Sequence, residues 1–177
     1  MYIYRQFMFL SAGFMAGIFC GPAMSATVTE LTVPPGFRIQ EVAQVPNARS
    51  MVMGERGTLF VSSQFIGKVH AVADPLGDQP EVFVLDEKLR IPNGIAFAAG
   101  DLYVAEPGRM LRYDSIESRL ADPGEPQVVV DDLPAGKQHS WKYMAFGPDG
   151  KLYISVGAPC NVCDAPDYGL IMRMNAC

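Results

Sequence analysis

The sequence predicts an all-β fold of the β-propeller type, built from successive four-stranded sheets, on three observations. First, one hairpin plan occurs three times, in Met51–Ser63, in Asn93–Ala105 and in His139–Gly157. Second, the aromatic residue that follows each turn falls at Phe60, Tyr103 and Tyr153, at intervals of 43 and 50 residues. A four-stranded blade needs about 40–50 residues, and recurrence at that period outweighs the reading of any single strand. Third, the 177 residues are 49% hydrophobic and carry 17 glycines and 14 prolines, a turn-rich balance suited to many short strands.

The elements follow in order. Phe37–Ala43 alternates apolar and polar residues and predicts a strand, with Pro34-Pro35-Gly36 blocking anything earlier from joining it. The first blade is expected over Ser50–Met53, Leu59–Ser62, Lys68–Ala73 and Glu81–Leu85, punctuated by Gly57, Gly67 and the segment Pro75–Pro80. The second is expected over Gly94–Phe97, Leu102–Ala105, Met110–Tyr113 and Gln127–Val130. Between its last two strands, Asp114–Leu120 predicts one or two helical turns capped by Asp114. The third blade reads Tyr143–Phe146, Leu152–Val156 and Gly169–Met174. Its hairpin turns at Gly147-Pro148-Asp149-Gly150, where Pro has a preset φ and Asp-Gly tolerates positive φ.

About three blades are therefore present. An open array of three leaves two sheet faces in water, more apolar surface than a soluble monomer usually exposes. The chain is expected to be the opening, truncated part of a longer propeller cut near residue 177, with self-association to close the ring as the alternative.

The N-terminus reads separately. Arg5, the apolar run Phe7–Cys20 and Ala23-Met24-Ser25 have the layout of a secretory signal peptide over residues 1–25. An uncleaved anchor is the alternative, although the run is shorter than the ~20 residues a membrane span needs. Phe19 stands where a lipoprotein site needs a small residue, so Cys20 is not expected to be acylated. Residues 26–177 form the propeller domain, placed in the periplasm or secreted. The formal net charge is −5 and no basic cluster occurs, so nucleic acid and anionic membrane surfaces are poor partners.

Export also colours the cysteines. Cys160-Asn-Val-Cys163 can be read as a disulfide, a redox motif or half a zinc site. Zinc needs further ligands, and the chain has only His70 and His139. A local disulfide between Cys160 and Cys163 suits an oxidising compartment and is the preferred reading. Cys177 is then left over.

Several segments together resemble the soluble quinoprotein sugar dehydrogenases, the sorbosone dehydrogenase type in particular. They are Pro46–Met51, Gly57–Val61, Pro92–Phe97, Leu102–Glu106, Gly157-Ala158-Pro159-Cys160-Asn161, and His139 followed eight residues later by Gly147-Pro148-Asp149-Gly150. The resemblance spans roughly residues 32 to 175. It implies a six-bladed propeller holding pyrroloquinoline quinone (PQQ) with calcium, a sugar substrate of the aldose or sorbosone kind, and a separate electron acceptor. It matches the family's catalytic base to His139; a base with a pKa near 7 suits removal of a hydroxyl proton. Trp141 and Lys142, beside His139, become candidate cofactor contacts, although packing between blades is the preferred reading for Trp141. Two departures stand out. Ala158 occupies the position where better-known relatives carry the Asp that orients the His, which leaves Asp164 as the local candidate. Most cofactor-binding residues are expected beyond this chain, so it should be inactive alone.

The remaining residues read more plainly. His70 alternates with Val69 and Ala71 in an outer strand and is expected at the surface. Asn93 reads as a turn residue, Glu106 and Arg109 as a pair across a Pro-Gly turn, and Asp149-Gly150 as a turn without a metal. Two other function classes remain: a gluconolactonase-type propeller hydrolase using Glu106 and Asn93 at a metal, and a non-catalytic propeller that serves as an interaction platform.

Overall fold

The computed structural model describes residues 31–176. The predicted signal segment with Cys20, and Cys177, lie outside them. Residues up to Gln40 and residues from Glu41 onward belong to two separate compact units. The described part of the first unit contains a turn in which the Phe37 amide donates to the Pro34 carbonyl (3.1 Å).

The second unit contains three antiparallel sheets, each built from consecutive strands. The first sheet comprises β1 (Ala48–Met53), β2 (Leu59–Ser63), β3 (Lys68–Ala73) and β4 (Glu81–Asp86). The second comprises β5 (Gly94–Ala98), β6 (Asp101–Ala105), β7 (Met110–Tyr113) and β8 (Gln127–Val130). The third has three strands, β9 (Met144–Phe146), β10 (Leu152–Val156) and β11 (Leu170–Met174). The first strands β1, β5 and β9 lie side by side, as the inner strands of successive propeller blades do.

Alternation explains the packing. In β6, Leu102 and Val104 point into a core shared with Phe60, Val69, Ala71 and Leu85 of the first sheet. Tyr103 and Ala105, facing the other way, enter a second core with Met144, Leu152 and Ile154 of the third. Both faces of the middle sheet are thus dry, and its strands read as near-continuous apolar runs. Cross-sheet hydrogen bonds add alignment. The Tyr113 hydroxyl donates to Asp86 Oδ2 (2.6 Å), and the Glu117 carboxylate accepts from the Arg56 and Thr58 amides of the β1–β2 turn (3.0 and 3.3 Å).

Three expectations are corrected. Phe37–Ala43 forms no strand: period-two alternation supplies no ladder partner, and Phe37 is 73% exposed. The helical segment after β7 is a single 3₁₀ turn, Ile116–Ser118, preceded by Ser115 rather than capped by Asp114. The Asp114 carboxylate accepts instead from Arg112 Nε and Gln127 Nε2, both at 2.6 Å, which holds β7 to β8. His70 is only 4% exposed, because β3 is an inner member of its sheet and not an outer strand. Its Nδ1 is 3.1 Å from Ser63 Oγ on the paired strand.

Two outcomes test this packing. Leu102→Ala, at a fully buried position, should cost about 2–5 kcal/mol in chemical denaturation; a smaller loss would mean the two sheets do not share that core. Burial, followed by the nearby Lys68 charge, lowers the His70 pKa below 6.5. The unfolded chain then binds a proton that the folded chain resists. Stability should fall as pH drops from 6.5 toward the lowered folded value, and His70→Gln should remove that part of the slope in acid titrations of unfolding.

Candidate functional site

In each sheet the β2–β3-type turn and the link to the next sheet emerge at the same end, because the strands are antiparallel. One rim therefore collects Gln64–Gly67, Glu87–Asn93, Glu106–Arg109, the β8–β9 loop (residues 131–143) and the β10–β11 loop (residues 157–169). The inner strands β1, β5 and β9 line a groove of about 500 Å3. A rigid sheet frame with loops gathered at one end is the usual platform for binding and chemistry.

The rim is stitched by main-chain contacts. Leu89 N donates to Gly67 O (3.1 Å) and Leu133 N to Gly108 O (3.0 Å). Asn93 is buried and joins all three sheets. Its carbonyl accepts from Ser62 Oγ of β2 (2.9 Å), its amide nitrogen donates to Ala105 O of β6 (3.3 Å), and its Nδ2 donates to Lys142 O just before β9 (2.8 Å). Asn93 is thus an inter-sheet tie, more than the turn residue the sequence suggests.

His139 is exposed and adopts a positive φ of 48°. Its Nε2 lies 2.8 Å from Asn161 Oδ1, on the neighbouring β10–β11 loop. Trp141 is 41% exposed, lies outside both cores, and meets the His139 ring edge-on at 6.4 Å between centroids. Packing of Trp141 between blades is therefore not what the structure shows. Asp164, the candidate for orienting His139, makes no hydrogen bond to the ring among the described residues; Asn161 holds that position. The sequence did single out Asn161, but only as part of a motif. A hydrogen-bonding residue inside a two-residue Cys-x-x-Cys loop, just after Gly157, was the signal for its role.

The two loops nest through glycines. A Cβ at Gly157 would lie 2.3 Å from the His139 carbonyl oxygen, and one at Gly136 would lie 2.8 Å from Pro159 Cα. Both contacts are with backbone atoms, so no side chain can swing aside. The facing loop is closed by the Cys160–Cys163 disulfide, as expected from the sequence.

Lys142 departs from expectation. Its side chain is fully buried and its Nζ donates to Pro134 O at 2.5 Å. Burial holds its pKa below the ordinary lysine value. Its ammonium braces the β8–β9 loop from beneath and is not presented to a ligand on the rim. Glu106 is buried too, accepting from Arg109 Nε and from the Arg90 amide. That is the pair the sequence suggests, and both carboxylate oxygens are engaged by protein donors. Asp149 accepts from the Lys151 amide (3.1 Å) and the Tyr153 hydroxyl (3.0 Å), a turn role as read.

The fit to the implied cofactors follows. Calcium takes roughly 6–8 oxygen ligands, and among the described residues no group of three or more His, Cys, Asp and Glu side chains converges. PQQ is a polycarboxylate that calls for cationic contacts, and Lys142 is turned inward. The described residues therefore present an imidazole and an aromatic ring but do not by themselves make a site for either group.

No protein-family model matches the chain, and no curated protein is similar to it in sequence. Solved structures are similar in fold. The PQQ-bound aldose sugar dehydrogenase from Streptomyces coelicolor aligns at a TM-score of 0.60 and 22% identity, over 78% of this chain and 47% of that one. The holo PQQ domain of pyranose dehydrogenase from Coprinopsis cinerea gives 0.64 and 17%, over 74% and 33%. The calcium structure of a Trichoderma reesei carbohydrate-active enzyme of family AA12 gives 0.58 and 18%, over 75% and 36%. At these identities the likeness shows the fold: three consecutive sheets of a propeller. The chain spans between a third and a half of the length of those proteins.

Gly157→Ala is the direct test of the nested loops. The added methyl should cost about 1–3 kcal/mol in denaturant unfolding; an unchanged midpoint would show that the loops do not press together there.

Proposed function

We propose that this chain is the N-terminal part of a PQQ-dependent sugar oxidoreductase of the six-bladed propeller type, with His139 as the general base. Residues 1–25 serve as a signal peptide and 26–177 as the opening blades, so the protein works in the periplasm or outside the cell. The single observation that carries the reading is the placement of His139. It stands exposed on the loop rim, beside Trp141, in the motif by which the sequence resembles the quinoprotein sugar dehydrogenases. The fold likeness to a PQQ-bound aldose sugar dehydrogenase and a pyranose dehydrogenase PQQ domain supports the same class.

Oxidation of a sugar hydroxyl removes a hydride from carbon and a proton from oxygen. His139 takes the proton at its free ring nitrogen as the carbonyl forms, a transfer for which an imidazole base is chemically suited. Trp141 offers an apolar wall against which a sugar ring can lie. PQQ with calcium would supply the two-electron acceptor, bound by residues other than those described here, and a separate protein or dye would carry the electrons onward.

The test uses a longer protein that contains this chain and completes the ring. Aldose-dependent dye reduction should require added PQQ and calcium, and His139→Ala should lower it about 10²–10⁴-fold with cofactor affinity nearly unchanged. Absence of dye reduction with both groups reconstituted would remove the oxidoreductase reading; full turnover in the variant would remove His139 as base. The 177-residue chain alone should show no turnover.

A further inference from the structure

The contact between the two rim loops carries an inference about how the base is held, and it rests on the reading of His139 as that base. The Asn161 amide oxygen faces His139 Nε2 at 2.8 Å. An amide oxygen can only accept, so Nε2 must carry the proton of the neutral ring. Nδ1 is then the nitrogen with a free lone pair. Among the described residues Asn161 is the one hydrogen-bonding partner of the ring. It sits on an exposed loop, where an isolated side-chain hydrogen bond to a mobile partner is weak.

Two features remove that mobility. The loop is pinned to the β8–β9 loop by the close passages of Gly157 against His139 and of Pro159 against Gly136. Immediately after them Cys160 and Cys163 are joined, and Asn161 is one of the two residues inside this small ring. The Cys163 Sγ also lies 3.6 Å from the Cys160 carbonyl, within the same turn. Short-range closure of this kind restricts the backbone of the residues it encloses.

We propose that Asn161, held in place by the Cys160–Cys163 disulfide, is the positioning residue that fixes the tautomer and ring orientation of His139 and leaves Nδ1 as the proton-accepting atom. Asn161 thereby fills a role that Ala158 cannot and that Asp164 does not. A carbonyl acceptor orients the ring without adding a negative charge beside it.

The experiment is nitrogen-15 NMR of the imidazole rings in the intact 177-residue chain. It needs no turnover, so its outcome stands apart from that of the sugar oxidation assay. With only two histidines, a His70→Gln sample assigns the signals. The expected result at neutral pH is a single Nε2–H tautomer for His139, with a ring N–H protected enough from exchange to be seen in water. Asn161→Ala should mix the tautomers and expose the N–H to rapid exchange, and Asn161→Asp should restore the single tautomer, because a carboxylate also accepts from Nε2–H. Reduction of the disulfide with a phosphine, or the Cys160→Ser/Cys163→Ser pair, should give spectra like those of Asn161→Ala. An Nδ1–H tautomer in the unaltered chain, or spectra unchanged in Asn161→Ala, would overturn the role of Asn161. Spectra unchanged after reduction and in the double variant would overturn the role of the disulfide.

Discussion

Two-sided burial of the middle sheet is the constraint from which the rest of the described structure follows. A β-strand shows alternate side chains to opposite faces, so a sheet with two apolar faces must be covered twice. Here Leu102 and Val104 are covered by the first sheet, while Tyr103 and Ala105 are covered by the third. The arrangement fixes the order of the sheets, brings β1, β5 and β9 side by side and gathers the connecting loops at one end. Asn93 works at the point where the three sheets meet, and it does so through hydrogen bonds that a purely apolar core could not supply.

The rim separates buried braces from exposed loop residues. Lys142 and Glu106 are charged residues used as braces, each buried and each satisfied by a carbonyl or an ion pair. Burying such groups is costly unless they are partnered, and the partners here are loop backbone and a neighbouring Arg. His139, Trp141 and Asn161 stand outside, on loops whose shape is set by glycine contacts and a disulfide. The precision of that site comes from loops locked against each other, while the sheets beneath provide the rigid frame.

Much of the fold was legible because strand signals and turn chemistry agree locally. Lys68–Ala73, Met110–Tyr113, Gln127–Val130 and Leu152–Val156 form over the expected residues, since each alternates or runs apolar between strong turn formers. The misses share one cause. Phe37–Ala43 has the right period and no partner; Asp114 has the right chemistry for a cap and finds Arg112 and Gln127 instead. Local pattern proposes an element, and long-range partners decide whether it forms.

The sequence by itself determined the all-β class, the repeat of sheet modules and the loop in which His139 stands, because these depend on residue period and nearest neighbours along the chain. Only the tertiary structure decided that Lys142 and His70 are buried, that Asn93 ties three sheets, and that Asn161 rather than Asp164 meets the imidazole. Those outcomes depend on which distant segments are brought within hydrogen-bond reach, and sequence separation carries no information about that distance.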